Sequence, residues 1–236
     1  MENVVRVLST LALMGAVRHL AGRFESETGI RIDADFAPTI GLLERLRSGE
    51  GADVVIVTKE ALEDLAAKGT IAPDSCADLA RSFVGIAVKA GAAHPDISTE
   101  VALRKTLLGA RSVAYSRIGA SGIFFAELIA QMGIAAEINA RATITAGFTA
   151  ERLVDGSADI AVQQLSELKQ VEGAEVVGPL PRHLQKSPAV FSAGRLAASQ
   201  RVPQSAALLK FLVSPEVAPA LRDSGLEPVA DQTVPA

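Results

Sequence analysis

The sequence predicts an α/β protein with mostly parallel sheets. Three observations lead there. Runs such as VVIV (54–57) and IAV (160–162) are apolar at every position, as strands covered on both faces are. Segments with apolar residues at helical spacing alternate with such runs along the chain. Hydroxyl or amide residues, namely Ser9, Thr10, Thr39, Ser121 and Gln163, stand where strand gives way to helix. That is the edge at which open α/β sheets bind ligands.

In order, Val4–Leu8 is the first strand, Ser9 and Thr10 mark its end, and Leu11–Phe24 is a helix closed by Gly29. Ile30–Ala34 is the second strand. After Pro38, Thr39 suits a helix cap, and the helix runs through Leu46 to Gly49. Val54–Val57 follows, with Thr58 capping a helix that stops at Gly69. FVGIAVKAG (83–91) is a further strand and Val101–Leu108 a helix. Beyond Gly133, Ile144–Thr145 is strand, Ala150–Leu153 helix, Ile160–Val162 strand and Ala189–Ser192 strand. Two helices, Gln204–Leu212 and one ending at Leu221, precede a proline-rich tail.

The stretch RSVAYSRIGASGIFFAELIAQMG (111–133) is strand, small-residue loop, helix. The first N–H groups of a helix lack intrahelical partners and carry partial positive charge, and small side chains let an anion approach them. Ser121 either caps this helix or turns its hydroxyl to the anion. Arg117 adds a guanidinium.

Composition narrows the partner. The 236 residues are 49% hydrophobic, enough for one large domain or two small ones. With no Trp and 4% aromatics the chain lacks stacking platforms for single-stranded nucleic acid. A net charge of -4 argues against duplex nucleic acid. One cysteine, Cys76, excludes an intrachain disulfide, and three scattered histidines give no metal-ligand spacing. No cofactor or metal is expected, and no run is apolar and long enough for membrane insertion.

VLSTLALMGAVRHLAGRFESETGI, FAPTIGLLERLRSGEGADVVIVTKEALEDLAAKG, GSADIAV and SPEVAPALRDSGLEP together resemble the molybdate-binding-like, type II periplasmic solute-binding protein family. The resemblance covers nearly the whole chain. It implies two α/β lobes with the ligand in the cleft between them: 1–82 with 193–236 as the first lobe, 83–180 as the second, and 83–91 and 181–192 as hinge crossovers. The family's first oxyanion hydroxyl falls at Ala12, with Ser9 and Thr10 just upstream. Its second matches Thr39, its small residue at the second-lobe helix matches Ser121, and its pocket tyrosine matches Gln163. GASGIFF and VQQLSEL are similar to the branch that includes aconitate isomerases.

The expected role is therefore binding of a small anion, either an oxyanion such as molybdate or a polycarboxylate, with an ABC transporter permease as a partner. The alternative is a cytoplasmic isomerase of a small unsaturated polycarboxylate, for which Arg117 offers a carboxylate fork. Tyr115 and His183 are candidate bases, or else a core and a surface residue. A ligand-sensing regulatory module ranks third, since no DNA-binding helices are attached. The N-terminal apolar run follows Glu2 and leads into Arg18, His19 and Arg23, so it reads as mature fold. The location is cytoplasmic if Met1 is the native start and periplasmic if a leader was trimmed.

Overall fold

A computed structural model describes residues 3–229. They form two compact units. One holds the chain up to Ser82 and again from Ala189; the other is Phe83–Pro188.

The chain opens with β1 (Val4–Thr10), whose end passes through a 3₁₀ turn at Leu11–Leu13 into α1 (Met14–Thr28). β2 (Arg31–Ala37), α2 (Thr39–Arg47), β3 (Val54–Thr58), α3 (Lys59–Ala67) and β4 (Ala77–Ser82) follow. The second unit contains β5 (Val84–Lys89), α4 (Glu100–Gly109), β6 (Val113–Tyr115), α5 (Ala120–Gln131) and α6 (Ala135–Asn139). It continues with β7 (Ala142–Ile144), α7 (Glu151–Val154), β8 (Ile160–Gln164), α8 (Leu165–Leu168) and β9 (Ala174–Pro179). β10 (Ala189–Arg195), α9 (Val202–Leu212), α10 (Ala218–Asp223) and β11 (Glu227–Pro228) complete the first unit.

The α/β class holds, but each sheet is mixed rather than mostly parallel. The first is ordered β11-β4-β10-β3-β1-β2, and the second β7-β6-β8-β5-β9. β1 runs parallel to β2 and β3, and β6 runs parallel to β7 and β8, because helix crossovers return the chain between them. β5 and β10 bring the chain into a unit from outside it, and they run against their neighbours. β4 was invisible to the apolar pattern because Asp78 and Arg81 interrupt its six residues.

The apolar strands are covered on both faces, as their sequence requires. In β3, Val54 and Ile56 join a core with Val5, Val7, Phe24 and Leu208. Val55 and Val57 face the other way, toward Leu42, Leu62 and Leu65. In the second unit, Ile86, Tyr115 and Val162 share one core, while Ala87, Ala114 and Ala161 make a thin opposite face under α7 and α8. No helix among the described residues is long and apolar enough to cross a membrane.

Candidate functional site

Each unit places small polar residues and a helix start at the C-terminal ends of its parallel strands. In the first unit the β1–β2 register sets Thr10 opposite Ala37, so the β1 turn and the start of α2 share one sheet end. Thr10 is extended and precedes the 3₁₀ turn without a side-chain capping bond. Pro38, not Thr39, is the N-cap of α2, and Thr39 is its first helical residue. The proline fixes the entry φ, which moves the boundary one residue upstream of the hydroxyl. Thr58 does sit at the N-cap of α3, yet its side chain makes no capping bond either. No side-chain capping bond is made at Thr10 or at the start of α2, and the first helix N–H groups beside Thr10 and Thr39 have no intrahelical acceptor. Ser9 is different: it is fully buried, and its Oγ donates to the Thr10 carbonyl at 3.2 Å. Ala12, where the family carries its first hydroxyl, is buried in the turn.

In the second unit the strand-to-helix loop is closed by Ser116. Its Oγ accepts from the N–H of Ile118 at 3.2 Å and of Gly119 at 3.1 Å. Those two amides are therefore occupied. Gly119 is the N-cap of α5, and its carbonyl accepts from the N–H of Gly122 and of Ile123 at 3.0 Å each. The N–H groups of Arg117, Ala120 and Ser121 have no backbone acceptor among the described residues. Ser121 is the second residue of α5, not its cap, and is buried with no hydrogen bond to its hydroxyl. Of the two roles expected for it, capping is ruled out by position. Arg117 is exposed and forms no ion pair among the described residues.

Gln163 is placed differently from a ligand donor. It is buried, its Oε1 accepts from the Thr149 N–H at 2.8 Å and the Thr149 hydroxyl at 3.0 Å, and its Nε2 donates to the Gly147 carbonyl at 3.1 Å. It clamps the loop after β7 onto the end of β8. Tyr115 is likewise a core residue: its hydroxyl donates to Asn139 and its ring meets Phe125 edge-on at 5.2 Å. His183 is exposed, on a 3₁₀ turn beyond β9. Among the described residues no group of three or more His, Cys, Asp or Glu is arranged to hold a metal ion.

The sequence reading passed over Glu167. It is 8% exposed, in the first turn of α8, and its Oε2 accepts from the Gln164 N–H at 3.4 Å. Burial pushes its carboxyl up to about 7, against the pull of the Gln164 N–H and the Gln163 side chain. The signal was present as Gln164-x-x-Glu167, the capping-box spacing, directly after an apolar strand. An acid whose folded value lies above its ordinary value of 4.5 stabilises the fold fully below that value, and the contribution is lost as pH rises through about 7. The stability of Glu167→Gln relative to wild type is expected to rise by up to about 3 kcal/mol between pH 5 and pH 8. Urea unfolding at the two pH values measures the difference; a constant difference would show that Glu167 does not titrate in this window.

Comparison with known proteins follows the same lines. The model of a family described as bacterial extracellular solute-binding protein matches residues 5–227. An aconitate isomerase from Pseudomonas sp is 39% identical over 237 aligned positions, covering 98% of this chain and 90% of the relative. The periplasmic molybdate-binding protein of Azotobacter vinelandii superposes with a TM-score of 0.81 at 18% identity, covering 97% of this chain and 100% of that one. The sulfate-binding protein SubI of Mycobacterium tuberculosis H37Rv gives 0.77 at 13%, covering 97% and 88%. The fold is that of these periplasmic binding proteins.

Proposed function

The chain belongs to the bacterial extracellular solute-binding protein family, and on that premise we propose that it binds a small unsaturated polycarboxylate and isomerises it as an aconitate isomerase. The observation that carries this reading is the 39% identity to an aconitate isomerase over nearly the full length of both chains. The oxyanion binders share the fold at only 13–18% identity. The site residues agree in chemistry. A tetrahedral oxyanion calls for a dense ring of neutral donors, and Ala12 removes one hydroxyl from that ring. Arg117, with no carboxylate of its own, offers the planar fork that suits a carboxylate guest.

The reaction moves a proton and a double bond. A base takes the proton from the carbon beside one carboxylate, the double bond shifts, and a proton returns at the far allylic carbon, so nothing is gained or lost overall. The charge that develops is an enolate-like oxyanion, which free amides and the Ser121 hydroxyl of the β6–α5 loop would stabilise. Tyr115 and His183 have no geometry that supports the role of base. A second reading, a non-catalytic binder that delivers its anion to an ABC transporter permease, draws on the TM-score of 0.81 to the molybdate-binding protein.

A thermal-shift series with molybdate, tungstate, sulfate, citrate and cis- and trans-aconitate tests both readings, since stabilisation scales with ligand excess over its dissociation constant. trans-Aconitate is expected to stabilise the protein and, in deuterated water, to exchange its allylic protons. A response to molybdate alone removes the polycarboxylate reading; carboxylate binding without exchange leaves only the binder. Arg117→Ala is expected to weaken trans-aconitate by roughly 10- to 100-fold, the size of a hydrogen bond to a charged group. Calorimetry on the variant decides this, and an unchanged constant would place Arg117 away from the ligand.

A further inference from the structure

The second unit carries a hollow of about 470 Å³ that the proposed reaction does not use. β5 runs against β8 with Ala87 opposite Ala161, and β6 runs alongside β8 with Val113 opposite Ile160. The finish of β5 and the starts of β6 and β8 therefore share one end of the sheet, and the β6–α5 loop leaves from the other end. The hollow opens at the first of these ends. Its floor is Val88, Ala110, Leu153, Ala158 and Ile160, all of them buried. The turn after β5 walls one side with Ala92, Ala93 and Pro95. Its size falls in the range of small-molecule sites, and apolar walls with a few polar groups suit the body of a small apolar molecule.

The polar side chains that line it are Lys89, Thr106, Arg111 and Asp159. Thr106 Oγ1 donates to the Asp96 carbonyl at 2.7 Å. Arg111 and Asp159 pair with each other at 2.8 Å, so their charges cancel. Lys89 is left. It is exposed, and its ammonium donates to the Val154 carbonyl at 3.3 Å without an ion pair among the described residues. Acids on the neighbouring elements are already matched: Asp155, just past α7, with Arg152 at 2.8 Å, and Glu175 of β9, which stands opposite Val88, with His94 at 3.2 Å. An ammonium has three N–H donors, and the Val154 carbonyl takes one. The hollow is thus apolar inside, with one uncompensated positive charge at its rim.

We propose that this hollow is a second binding site, separate from the β6–α5 loop, and that its ligand is a small apolar monocarboxylate. The chain or ring of the ligand lies on Leu153, Ala158 and Ile160, and its carboxylate accepts from Lys89 Nζ. A single negative charge matches the single ammonium. A second acidic group on the ligand would find no cation, because Asp159 holds Arg111. The site therefore selects a different class of acid from the polycarboxylate proposed above, and it stands independently of that reading.

An amide NMR titration of the whole chain with hexanoate tests the site, with hexanamide as the uncharged counterpart. The expected result is saturable shifts at the Lys89, Ala93, Arg111 and Ala158 amides, with the Arg117–Gly122 amides unmoved. Hexanamide should bind about tenfold or more weakly, the worth of a hydrogen bond to a charged group. Lys89→Met keeps the apolar stem and removes the charge, and it should bring hexanoate down to the affinity of hexanamide. Ala93→Phe places a ring from the turn into the hollow and should remove the saturable shifts. Both positions are exposed, so neither change disturbs the core. No saturable shift, shifts confined to Arg117–Gly122, equal affinity for hexanoate and hexanamide, or a Lys89→Met or Ala93→Phe variant that binds hexanoate as the wild type does overturns the proposal.

Discussion

Gly122→Ala is expected to abolish anion binding and to destabilise the second unit by about 3 kcal/mol. A Cβ at this position would lie 1.6 Å from the Ser116 carbonyl oxygen and 2.5 Å from the carbon that bears it. Both are backbone atoms, so no side-chain rotation relieves the contact. The Ser116 carbonyl can rest on α5 only because residue 122 has no side chain. That close approach bends the chain so that Ser116 Oγ reaches the N–H groups of Ile118 and Gly119. Separating strand and helix would break both bonds and displace the free N–H groups of Arg117, Ala120 and Ser121. Thermal unfolding should show a fall on the order of 10 °C, and calorimetry with trans-aconitate should show no heat. A variant that binds normally would mean that the ligand does not use this loop.

Ser121→Asp tests the loop by charge. Ser121 is buried, so the gain of about 0.3–1 kcal/mol from an acid near a helix start is outweighed by the cost of enclosing an unpaired carboxylate. A bound anion would meet that carboxylate at close range. Two like charges about 4 Å apart repel by about 4 kcal/mol at the effective polarity of a protein surface, or roughly a thousandfold in affinity. The expected outcome is a lower melting temperature and, in protein still folded at the assay temperature, loss of binding. Ser121→Ala, which removes only the hydroxyl, should lose about tenfold, the worth of one hydrogen bond. If Ser121→Asp binds as tightly as wild type, the anion is held elsewhere.

Local pattern explains which parts of the fold were readable. Val54–Val57 and Ile160–Val162 were visible because strands covered on both faces need apolar side chains at every position. β4 was not visible, since Asp78 and Arg81 interrupt its apolar residues. Strand direction was not legible at all: nothing local in Val84–Lys89 or Ala189–Arg195 says that these strands run against their neighbours. Helix starts were misplaced by one or two residues at Thr39 and Ser121, because backbone angles at Pro38 and Gly119 set the boundary while the hydroxyls only mark the region. Gln163 illustrates a different limit. An amide at a strand end looks like a ligand group, but its partners, Gly147 and Thr149, come from a loop 14 to 16 residues earlier. Glu167 could have been found from its capping-box spacing. Its burial depends on α8 lying against β5, where a Cβ on Gly85 would come within 2.3 Å of Leu165.

The placement of Tyr115 has a spectroscopic consequence. The chain has one tyrosine and no tryptophan. That single phenol is 1% exposed, inside the core of Phe83–Pro188. Its near-ultraviolet absorption and emission therefore report on one half of the molecule and are silent about the other. Denaturation followed by tyrosine emission traces Phe83–Pro188 alone, while far-ultraviolet dichroism traces both halves, so any mismatch between the two curves counts how many cooperative blocks the polypeptide melts in, without a label.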